Sequence, residues 1–183
     1  MLHFLQHTEK SRETTTLQLS IFAAIPTKYR GIVMIITPEI LASLGFRVSN
    51  LRPDGLQRAC TDAELGSLKP VLGDETYTRV EASTEGDDYV VRNGGTTSTG
   101  KVLAGLQTAC GHLAMCELCR TAVNSTSFGV VRKDGDHSYN ADIAEMQKAC
   151  AFHLSHASQY IRECCEALGI KYDYTALTMY QDI

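Results

Sequence analysis

The chain has 183 residues, a formal net charge of -4 and a hydrophobic fraction of 44%, values that suit one globular domain with a substantial core. This balance is not basic enough to make nucleic acid the main partner, and it is not charged enough for a disordered chain. No apolar run approaches the ~20 residues that a membrane-spanning helix needs. The seven cysteines, an odd number, fit reduced thiols in a cytosolic protein better than a disulfide framework.

Residues 1–33 differ from the rest of the chain and are predicted to form an N-terminal extension, either disordered or an arm on a neighbouring molecule. Their apolar run, 17–25, is short and is preceded by charges of both signs, so a signal peptide is rejected. Met34 is an alternative start, because the sequence that follows it looks like the beginning of a domain. The predicted organisation is this extension, a helical domain over 34–169 and a tail over 170–183.

Local signals place two helices early in the domain. Thr37 is a good N-cap and Pro38 suits the first helical turn, so a short helix should follow and end at Gly45. Thr61 and Glu64 match a capping box, which predicts that a second helix begins there.

Three further segments have weaker signals. Pro70 should kink or break the second helix, because proline lacks an N–H group and crowds the preceding turn. Residues 84–100 are rich in glycine, serine and threonine and are predicted to form a loop, with a short strand over 89–92 as an option. The tail from residue 170 has no clear period, so docking on the domain and fraying both stay open.

The most informative stretch begins at Lys101. The fifteen residues between Lys101 and Glu117 include no Asp, Glu, Lys or Arg, and a helix is predicted over 101–123. Such a helix is apolar nearly all round and must be covered nearly all round, either as the central helix or also against neighbouring subunits. The connector over 124–140 contains Asp134 followed by glycine, which favours a β-hairpin.

The last helix is predicted to begin after Asn140, its N-cap, and to end at Gly169. Its apolar residues recur at spacings of three and four and form one core stripe. They are Ile143, Met146, Cys150, Leu154, Ala157, Ile161, Cys164 and Leu168. The elements together predict an all-α fold, a small helical bundle with long connector loops and room for one short β-hairpin.

A near-match to a phosphate-binding loop spans residues 95–101, from Gly95 to Lys101. In a true P-loop the next residue is Ser or Thr, whose hydroxyl holds magnesium, but here it is Val102. The strand before the loop would be short and polar, whereas a P-loop strand is normally central and apolar. We therefore favour a Gly/Thr-rich loop that leads into a helix over a nucleotide site.

Cysteine and histidine pairs resemble parts of a zinc site. Cys116 with Cys119 is one half, and Cys150 with His153 is the other, since residues three apart share a helix face. His112 lies on the same face, but ~10 Å along the helix from Cys119, so one metal cannot use all of them. Zinc-binding CxxC pairs usually lie on turns, so we favour buried thiols that allow close helix packing.

The same residue types raise the question of a thiol enzyme. The possible nucleophiles and bases are Cys110, Cys164, Cys165, His112, His153 and His156. Cysteines on the core stripe are inert, because apolar surroundings raise the thiol pKa. No segment supplies an obvious oxyanion hole. We therefore expect no catalytic residues, no cofactor and no bound metal.

Three stretches carry a resemblance to a known family. They are residues 68–77 (LKPVLGDETY), residues 126–134 (TSFGVVRKD) with 138–142 (SYNAD), and the opening at 34–39 (MIITPE). They resemble tailed-phage head–tail connector (adaptor) proteins from phages of Bacteroidetes-type hosts. The likeness covers residues 34–169, and it leaves out residues 1–33 and the cysteine-rich character of the central helix.

This resemblance implies a mostly helical adaptor without an active site. Such a protein forms a homo-oligomeric ring between the portal and the tail or stopper proteins, at the head–tail interface of the virion, after assembly in the host cytoplasm. Phage DNA would pass through the ring. Rings need heterologous interfaces, and the candidates to reach the neighbours are the loops 84–100 and 124–140 and the two termini. The expected interface residues are Phe128, Gly129, Val130, Val131, Tyr139, Gly94 and Gly95. The alternative function is a small helical zinc- or nucleotide-binding protein.

Overall fold

A computed structural model describes residues 34–49, 51–124, 131–134, 137–140 and 143–180. The helices are α1 (Pro38–Ser43), α2 (Pro53–Thr61), α3 (Lys69–Leu72), α4 (Asp74–Ala82), α5 (Gly86–Asn93), α6 (Leu106–Asn124) and α7 (Ile143–Leu168). A π-helix, Asp62–Leu68, joins α2 to α3, and a 3-10 helix, Thr175–Tyr180, follows α7. Two antiparallel hairpins pair β1 (Gly95–Thr96) with β2 (Val102–Leu103) and β3 (Val131–Asp134) with β4 (His137–Asn140). The predicted helical bundle is confirmed.

Helix α6 is the central helix of the bundle. None of residues 106–120 is exposed, because α7, the π-helix, α2 and α5 pack around them. The sequence left open whether this helix is covered by its own chain or also by other subunits. The chain itself supplies the cover, since a helix that is apolar all round is stable only when it is enclosed.

The predicted start of this helix at Lys101 was wrong, since α6 begins at Leu106. The backbone of Gly105, with φ +86°, crosses that of Gly94. A Cβ at Gly105 would lie 2.2 Å from the nitrogen of Gly94, so only glycine permits this approach. The close crossing holds residues 101–105 outside the helix.

Helix α7 confirms the predicted core stripe. Its exposed fractions run from 0% to 9% at Met146, Cys150, Leu154, Ala157, Ile161 and Cys164. Gly169 has φ +68° and ends the helix in the left-handed conformation that glycine adopts without strain. The side chain of Ile143 lies outside the described residues.

Helix α1 also follows its prediction. The Thr37 hydroxyl accepts a hydrogen bond from the N–H of Ile40 at 3.3 Å, and Pro38 occupies the first turn. The helix ends at Ser43, close to Gly45, which has φ +89°.

The predicted capping box at Thr61 was wrong. Helix α2 already begins at Pro53, and Thr61 lies inside the continuous helix, where its hydroxyl donates to the carbonyl of Gln57 at 2.9 Å. Pro70 does not end this helix. The N–H of Lys69 bonds to the carbonyl of Glu64, five residues earlier, and this wide π turn admits the proline ring.

The predicted loop over 84–100, with its optional strand at 89–92, was wrong in its first half. Residues 86–93 form α5, because Asp87 and Asp88 in the first turn favour a helix and Val91 is buried. The second half forms the β1–β2 hairpin.

The C-terminal tail docks on the bundle. Leu177 and Tyr180 of the 3-10 helix are 0% and 3% exposed, so their side chains belong to the core. Among the described helices, none combines the length and the hydrophobicity that crossing a bilayer requires.

Candidate functional site around helices α6 and α7

The loop that resembles a P-loop is the turn of the β1–β2 hairpin. Its polar groups already have partners within the chain. Asp87 accepts hydrogen bonds from the N–H and the hydroxyl of Ser98, at 2.7 and 2.5 Å, which lowers the pKa of this carboxyl. The Lys101 ammonium lies 3.0 Å from a carboxylate oxygen of Glu166. A carboxylate therefore occupies the donors that a phosphate would need, and the geometry does not favour a nucleotide.

The two halves of the supposed zinc site meet only through their cysteines, because Cys116 contacts Cys150 whereas His153 is directed elsewhere. Cys116 and Cys119 are buried, and the Cys116 thiol donates to the carbonyl oxygen of Cys150 at 3.4 Å. His153 lies instead against His112, with 2.8 Å between their Nδ1 atoms. Among the described residues, no group of three or more His, Cys, Asp or Glu side chains is arranged to hold a metal ion.

Three histidines gather on one face of the α6–α7 pair. The rings of His153 and His156 lie 5.1 and 5.2 Å from the ring of His112, centre to centre. Burial and the two other histidines lower the pKa of His112 to about 4, and burial also lowers the pKa of His153. His112 is therefore neutral near pH 7. Its other neighbours are the aromatic rings of Phe46, Phe152 and Tyr160.

The cysteines considered as nucleophiles lie in inert surroundings. Burial raises the pKa of Cys164 to about 12 and that of Cys165 to about 11. Burial also raises the pKa of Cys110, which is fully enclosed. A thiol that stays protonated is a poor nucleophile, so these residues do not form a thiol active site with the histidines.

A buried carboxylate that sequence reasoning misread lies in the π-helix. Glu64 is 0% exposed and accepts hydrogen bonds from the N–H groups of Ile35 and Ile36, at 2.7 and 2.9 Å. It also accepts one from the hydroxyl of Tyr77 at 2.5 Å. Burial raises the pKa of Glu64 despite these donors. The carboxylate ties the first residues of the domain to α4.

A second buried carboxylate holds the C-terminal segment. Glu117, 3% exposed, accepts a hydrogen bond from the Tyr180 hydroxyl at 2.8 Å and two from Arg120. Ser67 of the π-helix lies 2.8 Å from the same Tyr180 oxygen. Tyr180 has one proton and gives it to Glu117, so Ser67 is the donor in that pair. The network joins the π-helix, α6 and the 3-10 helix.

A groove of about 810 Å³ runs along α7 beside the C-terminal segment. Its lining includes Cys150, Leu154, Arg162, Tyr174 and Tyr180. The lining is mixed, with apolar residues at 150, 151 and 154 and polar residues at 155, 158, 159 and 162, and such mixed open surfaces suit the binding of another chain.

The predicted interface residues fall into three groups. Phe128, Gly129 and Val130 lie outside the described residues. Val131 and Tyr139 lie in β3 and β4, where Val131 pairs with Asn140 and Tyr139 with Arg132. Gly94 packs within the bundle, because a Cβ there would lie 2.6 Å from the carbonyl oxygen of Ala104, whereas Gly95 is exposed on β1. An interface role for these residues stays a prediction.

Comparisons with family models, with curated proteins and with solved structures give no match for this chain.

Proposed function

We propose that this chain is a head–tail adaptor of a tailed-phage virion, a structural protein that forms a ring between the portal and the tail or stopper proteins. It performs no reaction, and the ring surrounds the path of the phage DNA. The proposal begins with the resemblance to connector proteins of residues 68–77 and of residues 126–134 with 138–142. The structure gives these two stretches different surroundings.

The first stretch is explained by packing within the monomer. Leu68, Leu72 and Tyr77 are 0%, 5% and 4% exposed, and Gly73, with φ +75°, forms the joint between α3 and α4. Residues of this kind would be needed in any protein with this core, so they support the fold more than the function.

The second stretch carries the proposal. The β3–β4 hairpin lies in the connector between α6 and α7, the two longest described helices. Within the described residues, the extensive contacts of its strands are with each other, while α6 and α7 pack along their lengths without it. A hairpin that the bundle does not need for its core is available to a neighbouring subunit or to the portal.

A ring needs two different surfaces on each subunit, one that meets the next copy and one that meets the previous copy. The hairpin is one such surface, and the groove along α7 is a second one on the same helix pair. The net charge of -4 also suits a ring around moving DNA, because tight nonspecific binding needs many Lys and Arg on phosphates.

The test compares two phenylalanine-to-serine variants of the full-length chain. Phe128→Ser changes the segment before β3, and Phe152→Ser changes a phenylalanine on α7 that is 56% exposed. Both proteins are examined by negative-stain imaging for rings and by circular dichroism for folding. Phe128→Ser should retain its helical signal and lose the rings, whereas Phe152→Ser should retain both.

Rings that persist in Phe128→Ser would contradict the assignment of the hairpin segment as an interface. Loss of the helical signal in Phe128→Ser would identify Phe128 as a core residue, and the interface assignment would again be wrong. The absence of rings in the parent protein under all conditions would count against the adaptor proposal itself.

A further inference from the structure

Two of the seven cysteines touch each other across the central helix pair. Cys116 lies on α6 and Cys150 on α7, and the Cys116 thiol donates to the Cys150 carbonyl oxygen at 3.4 Å. This contact places the Cys116 side chain directly against Cys150 of the facing helix.

The pair is reached from the groove along α7. Cys150 lines that groove beside Leu154 and Tyr180, whereas no other cysteine of the chain lines it. Cys116 lies behind Cys150 and is fully buried. A small reagent that enters the groove therefore meets Cys150 first.

Cys150 also differs from the other cysteines in acidity. The contact with Cys116 lowers the pKa of Cys150, although burial and the negative charge of Glu117 act in the opposite direction. The pKa of Cys116 is raised by its contact with Cys150 and by burial. Burial raises the pKa of the remaining five thiols. The one cysteine that lines the groove is therefore also the one whose pKa is lowered.

We propose that Cys116 and Cys150 form a redox site, which a hydroperoxide entering the groove converts into a disulfide between α6 and α7. The site is independent of the adaptor proposal. It assigns a modification to residues that the sequence pattern marks only as small core side chains.

The reaction balances in two steps. The Cys150 thiolate attacks one oxygen of the hydroperoxide, a sulfur–oxygen bond forms, the oxygen–oxygen bond breaks, and hydroxide or alkoxide leaves. The Cys116 sulfur then attacks the sulfenic sulfur of Cys150. The sulfur–sulfur bond forms as the sulfur–oxygen bond breaks, and the departing hydroxide takes the Cys116 proton and leaves as water. The hydroperoxide is reduced by two electrons, and the two thiols supply them.

The disulfide would close a loop that contains the whole β3–β4 hairpin, because both strands lie between Cys116 and Cys150 in the sequence. Oxidation would thus fix the two helices from which the hairpin extends. A thiol reductant would reverse the change.

The test uses the purified full-length chain, fully reduced and then exposed to hydrogen peroxide. Non-reducing peptide mapping by mass spectrometry should find a Cys116–Cys150 disulfide. Cys150 should be oxidised at least about tenfold faster than Cys165, because a thiol of higher pKa carries less thiolate. In Cys116→Ser, whose hydroxyl keeps a donor beside Cys150 but cannot form a disulfide, Cys150 should instead accumulate as a sulfenic acid that dimedone traps. Cys150→Ala should abolish both products, and the matched control Cys165→Ala should leave the disulfide unchanged.

The mapping of the parent protein decides the question even if a variant fails to fold. A Cys116–Cys150 disulfide that forms before any other oxidation supports the proposal. No disulfide, a disulfide between another pair, or earlier oxidation of Cys165 overturns it.

Discussion

Replacing the buried carboxylate of Glu64 by an amide tests how the start of the domain is held. Glu64 accepts three hydrogen bonds, from the N–H groups of Ile35 and Ile36 and from the Tyr77 hydroxyl. In Glu64→Gln, one of the two carboxylate oxygens becomes an NH2 group, which is itself a donor. An N–H group that had an acceptor then faces a second donor, and no water can replace the partner at a fully buried position.

The expected cost follows from this geometry. A buried donor without a partner costs about 1–3 kcal/mol, and loss of the charge weakens the remaining hydrogen bonds by about 1 kcal/mol more. The total is about 2–4 kcal/mol. In a domain of this size each kcal/mol lowers the melting temperature by about 2–4 °C, so Glu64→Gln should melt about 4–16 °C below the parent.

Thermal melting followed by circular dichroism measures this difference. The matched control is Glu75→Gln, the same substitution at an exposed position on α4. It should melt within about 1 °C of the parent, because exposed substitutions seldom change stability. If Glu64→Gln melts together with Glu75→Gln, the buried carboxylate does not hold residues 35 and 36, and the reasoning is refuted.

Three other predictions concern the helix pair and the hairpin turn. His112 has a pKa of about 4 in the folded protein and 6.5 in the unfolded chain, so the unfolded chain binds a proton more readily. The folded state therefore has its full stability above pH 6.5 and loses stability as the pH falls toward about 4. The full pKa shift corresponds to about 3 kcal/mol of folding free energy, and partial exposure of His112 reduces this to about 1–2 kcal/mol. Between pH 6.5 and about 4, the melting temperature of His112→Phe should therefore fall less than that of the parent protein. An equal fall in the two proteins would contradict this prediction. In urea unfolding, Leu154→Ala should lower the free energy of unfolding by about 2–4 kcal/mol and Phe152→Ala by less than about 1 kcal/mol. The reverse order would show that Leu154 is not the core residue of the two. Calorimetry with ATP should give no signal above background for either the parent or Lys101→Ala, and micromolar binding that Lys101→Ala abolishes would restore the nucleotide alternative.

Periodic features of the sequence predicted the long helices well. The spacing of Met146, Cys150 and Leu154 marks one face of α7, because a helix that lies against a core exposes its opposite side to water. The absence of charge before Glu117 likewise predicted an enclosed α6. Both signals are local, so a single sequence contains them.

The missed features depend on contacts between distant segments. Glu64 and Glu117 look like ordinary helix residues, and their burial becomes apparent only when Ile35 and Tyr180 supply donors from the two ends of the domain. The spacing of His153 and His156 places both on one helix face and was a usable signal for the histidine cluster. Their contact with His112 depends on the register between α6 and α7, which no local pattern fixes.

Helix α5 was misread for a different reason. The density of glycine around it indicated a loop, whereas Gly86 and Gly94, with φ +73° and +88°, mark the two ends of a short helix. Glycine at the ends of an element and glycine throughout a loop give similar compositions. The same ambiguity made the β1–β2 hairpin resemble the start of a P-loop helix.

Native mass spectrometry of the purified, reduced full-length protein over a range of concentrations tests the adaptor proposal most directly. The account predicts a discrete closed oligomer, because the heterologous contacts of a ring use every hairpin once the ring is complete. Masses that correspond only to the monomer or to an isologous dimer at every concentration would contradict it.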